Sequence, residues 1–140
     1  SSDLVGGVIM TDLDQFDTVS RSDSGAECTL NDLRTGKATE AVIVLRGMDG
    51  EHFANLKAER SRDLAQRLER AGSTDLTPAE KDELNCDMLS KMTISWRGMS
   101  RGGVELPFSV KAAYDLYLKY PAIREQVNTF VGNRANFLLA

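Results

Sequence analysis

Residues 26–48 read AECTLNDLRTGKATEAVIVLRGM, and they mark where the chain is β and where it turns helical. At their start Glu27, Cys28, Thr29 and Leu30 alternate polar and apolar, the period of a half-buried strand. Near their end comes AVIVL at 41–45, a β-branched apolar run that suits a buried strand. Between the two, Asn31-Asp32 and Thr35-Gly36-Lys37 supply turn residues. The pattern predicts an antiparallel β element with an irregular loop, closed by Gly47 and Asp49-Gly50.

Downstream the period lengthens to that of a helix. Asp49 is placed to cap a helix over 49–70, with Phe53, Leu56, Leu64 and Leu68 on one stripe, joined by Ala65 and Ala71 and interrupted by Arg60. Gly72 is a natural terminator. The segment 72–75 that follows reads as a helix–helix connection, with a hinge as the alternative. Thr77-Pro78-Ala79-Glu80 carries a capping box with proline at the first helical position. It predicts a helix over 78–92 with Leu84, Met88, Leu89 and Met92 inward, and acids at its start that suit the helix dipole. Residues 93–96 read as a short strand that Gly98, Gly102 and Gly103 turn back into a second one at 104–106. Ser109 caps a helix over 110–120, and Pro121 opens another running to Phe137 with Ile123, Val127, Phe130 and Val131 inward.

Upstream of the β element the signals thin out. Residues 1–25 hold one short apolar run, Val8-Ile9-Met10, then Asp12, Asp14 and Asp17 and a polar stretch from Ser20 to Gly25. They read as a flexible N-terminal arm with at most one short strand. The expected organisation is thus an arm at 1–25 and a single α+β domain at 26–140. That domain has a small antiparallel β element at 26–48, then a mainly helical part of about four helices at 49–140 with a short β-turn near 93–106.

The chain has 140 residues, of which 41% are hydrophobic and 27% charged, and a formal net charge of −4. Those values fit one ordinary globular domain and argue against a general binder of nucleic-acid phosphates. The longest aliphatic run, 41–45, is too short to cross a membrane, and no leader with a basic start and apolar core is visible. Cys28 and Cys86 read as two buried free thiols, or as a single long-loop disulfide.

Each candidate for chemistry has a plainer competitor. Asp12, Asp14 and Asp17 gather carboxylates but lack the glycine and closing glutamate of a calcium loop, so a solvated acidic arm is expected. His52 is the only histidine and sits where surface or capping roles are usual. A zinc site would need it together with both distant cysteines. Ser20, Ser22 and Ser24 have no neighbouring base. Arg60, Arg62, Arg67 and Arg70 interleave with Glu59, Asp63, Glu69 and Asp75, and Asp63–Arg67 has helix-pair spacing, so a solvated, internally paired face is expected. Tyr114, Tyr117, Tyr120 and Phe130 lie at helical spacing, as core or as a partner groove. No catalytic residue, cofactor or metal is expected.

Residues 93–98, Thr-Ile-Ser-Trp-Arg-Gly, followed by a glycine turn and by Val104-Glu105-Leu106-Pro107-Phe108-Ser109 and a helix, resemble a recurrent element of tailed-bacteriophage tail assembly chaperones and related small tail proteins. Trp96, Gly98, Gly103, Pro107, Phe108, Ser109 and the closing aromatic Phe137 carry the likeness. Ser24-Gly25-Ala26, Thr35-Gly36 and Val44-Leu45-Arg46-Gly47-Met48-Asp49 extend it upstream. The resemblance implies a non-enzymatic protein of the host cytoplasm that binds the tape-measure protein and recruits major tail (tube) subunits to it, and it leaves room for a homo-oligomer. The alternatives are a structural tail or neck subunit retained in the virion, and a phage-encoded inhibitor of a host protein.

Overall fold

The computed structural model describes residues 2–138. Ser1 of the arm, and Leu139 and Ala140 of the helical part, lie outside the described residues. In chain order come β1 (Ser2–Val5), β2 (Val8–Thr11), a 3-10 turn (Leu13–Phe16), α1 (Val19–Ser24), β3 (Ala26–Asn31) and β4 (Ala38–Leu45). The long helices α2 (Glu51–Ala71) and α3 (Pro78–Met92) follow, then β5 (Thr93–Arg97), β6 (Ser100–Arg101) and β7 (Val104–Glu105). Helices α4 (Val110–Lys119) and α5 (Pro121–Gly132) and a second 3-10 turn (Arg134–Phe137) close the chain. The fold is α+β, as expected, with small antiparallel sheets and helices that are mainly C-terminal.

The central sheet has the order β3-β4-β5, all antiparallel. Alternation in β3 buries Ala26, Cys28 and Leu30 and exposes Glu27, Thr29 and Asn31. The AVIVL run becomes the middle strand, where Val42, Ile43 and Leu45 are buried. Against this sheet pack Cys86, Leu89 and Met92 of α3, Ala113, Leu116 and Tyr117 of α4, and Val127 and Val131 of α5. A buried polar joint ties the layers: the Thr93 hydroxyl donates to the Leu89 carbonyl at 2.7 Å, so the Tyr117 hydroxyl, 2.8 Å away, donates to Thr93 Oγ1.

Four local expectations give way. First, residues 2–11 form a two-stranded hairpin where at most one short strand was expected, because Gly6 and Gly7 both take positive φ (55° and 81°) and reverse the chain in two residues. Second, β5 does not pair with the returning strand. It becomes the third strand of the central sheet, with Ile43 opposite Trp96, while β7 pairs only with β6. Gly98 makes this possible. It has φ of 70°, and a β-carbon there would strike the Glu40 carbonyl and lie 2.8 Å from its carbon.

Third, Asp49 does not cap α2. Its carboxylate accepts from Arg134 Nε and Nη2 at 2.8 and 2.9 Å and from the Thr18 hydroxyl at 2.7 Å. The backbone N–H groups of Glu51 and His52 are instead accepted by the Asp23 carboxylate of α1, each at 3.1 Å. Asp23 thus caps a helix from another element, and these hydrogen bonds hold its carboxyl below the usual range. Fourth, α5 stops at Gly132; Asn133 then accepts from the Ala135 N–H and starts the final 3-10 turn.

Candidate functional site: the cleft between α2 and α3

The site is built by two helices that leave the core together. The capping box of α3 is complete: Thr77 Oγ1 accepts from the Glu80 N–H at 3.2 Å, and Glu80 Oε1 accepts from the Thr77 N–H at 3.1 Å. The other oxygen of Glu80 accepts from Arg67 Nη1 at 2.9 Å, and Arg67 Nη2 donates to the Asp75 carbonyl at 3.2 Å. One motif therefore starts α3 and ties it to the last turns of α2. At the body end Lys91 contacts Asp87 at 3.1 Å and Glu59 at 4.0 Å. His52, at the root of α2, donates from Nε2 to the Lys91 carbonyl at 2.8 Å. The expected Asp63–Arg67 pair is not made, because the hairpin brings Glu80 to the guanidinium.

Between these ties the helices leave a cleft of about 530 Å³. Its floor is apolar: Leu56, Leu64, Leu76, Leu84, Met88 and, at the body end, Tyr114. The α2 stripe read as inward-facing buries only Leu56. Phe53 and Leu64 are half-buried, and Leu68, Ala65 and Ala71 are exposed. The buried residues of α3, from Cys86 to Met92, all lie in its second half. The distal half of the hairpin thus stands off the core with its apolar seam open. The lining positions 56, 60, 63, 67 and 70 on α2, and 80, 84, 87 and 91 on α3, follow alternating steps of three and four. That is the spacing with which a helix offers one face to a third helix.

Electrostatics define the rim. Hydrogen bonds from the Thr77 N–H and from Arg67 hold the Glu80 carboxyl below its ordinary range. Asp87, with Glu59 behind it, holds the Lys91 ammonium above its ordinary value. Burial raises the Tyr114 phenol. Arg60, Arg70 and Glu83 also line the cleft and have no ion pair among the described residues. The Nε of Arg67 is buried and has no hydrogen-bond partner among them.

The residues that carry the resemblance lie outside the lining of the cleft. Trp96 is half-buried, donates from Nε1 to the Leu106 carbonyl at 2.8 Å, and meets Phe108 edge to face at 5.1 Å. Gly98 passes against β4, Gly103 lies in the β6–β7 turn, and Pro107 leads to Ser109, whose hydroxyl caps α4 by accepting from the Ala112 N–H at 2.9 Å. Phe137 is not part of that group. It is buried against Phe130 at 5.6 Å and beneath Gly47.

The other candidates also have local roles. Asp12 accepts from the Asp14 N–H, and Asp17 accepts from the N–H groups of Val19 and Ser20. Among the described residues no group of three His, Cys, Asp or Glu side chains is placed to hold a metal ion. The hydroxyl of Ser22 is committed to the Thr18 carbonyl. Cys28 and Cys86 are free and buried in the core, and burial pushes the Cys28 thiol up to about 11. The aromatic stripe divides: Tyr117 is core, Tyr114 faces the cleft, and Tyr120 sits under the cations of Arg101 and Lys119. No known protein family, curated protein or solved structure matches this chain.

Proposed function

We propose that this chain is an assembly factor that holds a helix of another polypeptide and makes or breaks no covalent bond. The observation that carries the reading is the open apolar seam between α2 and α3. Leucines and a methionine at helical spacing stand half-exposed there, on a scaffold fastened at both ends by ion pairs. An amphipathic helix laid into such a groove is a recurrent mode of protein recognition. The resemblance of residues 93–109 supplies the candidate identity, a tail assembly chaperone of a tailed bacteriophage. The held helix is then that of the tape-measure protein, the recruited partner is the tail-tube protein, and the place of action is the host cytoplasm.

The test is co-purification from cells that express the chain together with the tape-measure and tube proteins of a tailed bacteriophage. The wild-type chain recovers both. Leu64→Asp and Met88→Asp lose the tape-measure protein, with circular dichroism showing that both variants remain folded. Recovery of neither protein, or equal recovery with the two variants, overturns the reading.

A further inference from the structure

The charges left over on the groove's rim describe the helix that fits it. This inference rests on the groove reading above and adds the chemistry of the occupant. Arg67 is engaged by Glu80, and Lys91 by Asp87 and Glu59. Once these pairs are set aside, the α2 wall keeps Arg60 and Arg70 unpaired among the described residues, and the α3 wall keeps Glu83. Asp63 is the one acid on the α2 wall that is likewise outside any ion pair. The orphaned Nε of Arg67 lies on the same wall, between the two free arginines, and is a buried donor in want of an acceptor. The distance along α2 from Leu56 to Arg70 is about 21 Å at 1.5 Å per residue, which a helix of about four turns covers.

We infer that the groove takes an amphipathic helix of about four turns whose apolar stripe covers Leu64, Leu76, Leu84 and Met88, with carboxylates on the flank facing Arg60 and Arg70 and a basic side chain on the flank facing Glu83. A helix with unlike flanks pairs with Arg60, Arg70 and Glu83 and leaves Asp63 as the one free acid its acidic flank passes. A helix acidic on both flanks meets Glu83 with like charge, and a helix basic on both flanks meets the two arginines with like charge. The expected order of affinity is therefore split flanks, then acidic flanks, then basic flanks.

The experiment uses the full chain and three designed helical peptides of equal length with the same leucine stripe, bearing split, all-acidic or all-basic flanks. Binding is read by isothermal titration in low and in high salt. The split peptide binds at least tenfold more tightly than the basic one, about 1.4 kcal/mol, and the gap narrows at 0.5 M salt because rim charges are screened. In R60E/R70E, with folding checked by circular dichroism, the basic peptide becomes the tightest binder. Equal affinities for the three peptides, or an unchanged order in R60E/R70E, overturn the inference while leaving the groove reading intact. Failure of all three peptides to bind overturns the groove reading itself. A second copy of the chain is the rival occupant: a dimer in sedimentation that L64D dissolves overturns the proposal in its favour.

Discussion

Replacing Gly98 by alanine should damage the fold far more than the same change four residues later. Gly98 ends β5 with φ of 70°, and Gly102, in the β6–β7 turn, has φ of 59°. Both changes place an L-residue in the left-handed region, at about 1–2 kcal/mol. They differ in surroundings. A β-carbon on Gly102 meets nothing, whereas one on Gly98 collides with the Glu40 carbonyl group, which is backbone and has no rotamer in which to retreat. The end of β5 must lift from β4 near the Val42–Arg97 pair. One or two ladder hydrogen bonds then weaken, at about 1 kcal/mol each. The sum is about 3 kcal/mol for Gly98→Ala against about 1–2 kcal/mol for Gly102→Ala. At roughly 3 °C per kcal/mol for a chain of this size, the first should lower the Tm by about 10 °C and the second by about 3–6 °C. Thermal melts followed by circular dichroism give both values. Trp96, the only tryptophan, lies two residues from the change and reports local disturbance through its emission. Equal Tm losses for the two variants would refute the placement of β5 against β4.

Other outcomes follow from buried and charged groups. Tyr117→Phe removes the donor to Thr93 Oγ1 and should cost about 1–2 kcal/mol in urea unfolding; an unchanged midpoint would show that this joint carries no load. The Cys28 thiol, raised to about 11 by burial, should resist a disulfide reagent at pH 8 in the native protein and react at once in urea; immediate native reaction of both cysteines contradicts the packed core. Glu27, Asp49 and Glu80 are all held below their ordinary range, first by Arg97, by Arg134 and by the Thr77 N–H respectively. The unfolded chain takes up protons on these groups at a higher pH than the native one. Their stabilisation is therefore complete above the ordinary carboxylate range of about 4 and is lost as pH falls through the depressed native values. Melts between pH 6 and 2.5 should be flat and then fall; a Tm that rises on acidification below 4 would reverse the sign.

Features that depend on neighbours in sequence were legible from it. The alternation in β3, the apolar run of β4, the capping box at Thr77 and the caps at Ser109 and Pro121 are local, and the structure holds each of them. Features settled by distant partners were not. By sequence Asp49 is the adjacent cap for α2, but Arg134 and Thr18, both distant in the chain, engage its carboxylate, and Asp23 of α1 takes the capping role. Thr93–Arg97 and the segment after the glycine turn look like a hairpin until β4 offers a longer partner. The groove was hidden for a related reason. An apolar stripe predicts that a helix face avoids water, and says nothing of whether the chain itself supplies the cover. Two signals were present: Arg60 interrupting the α2 stripe, and Leu76 in an otherwise polar connection. Both turn out to line the cleft.

The central claim, that the α2–α3 seam holds a helix from another polypeptide, is tested most directly by photo-crosslinking. A benzoylphenylalanine replaces Leu64 or Met88 inside the cleft, or Leu33 in the exposed β3–β4 loop, in cells that also express the tape-measure protein. Positions 64 and 88 should each give a crosslinked product that mass spectrometry maps to one helical segment of the partner, and position 33 should give none. Products from position 33 alone, or equal products from all three, would show that the seam is not where the partner sits.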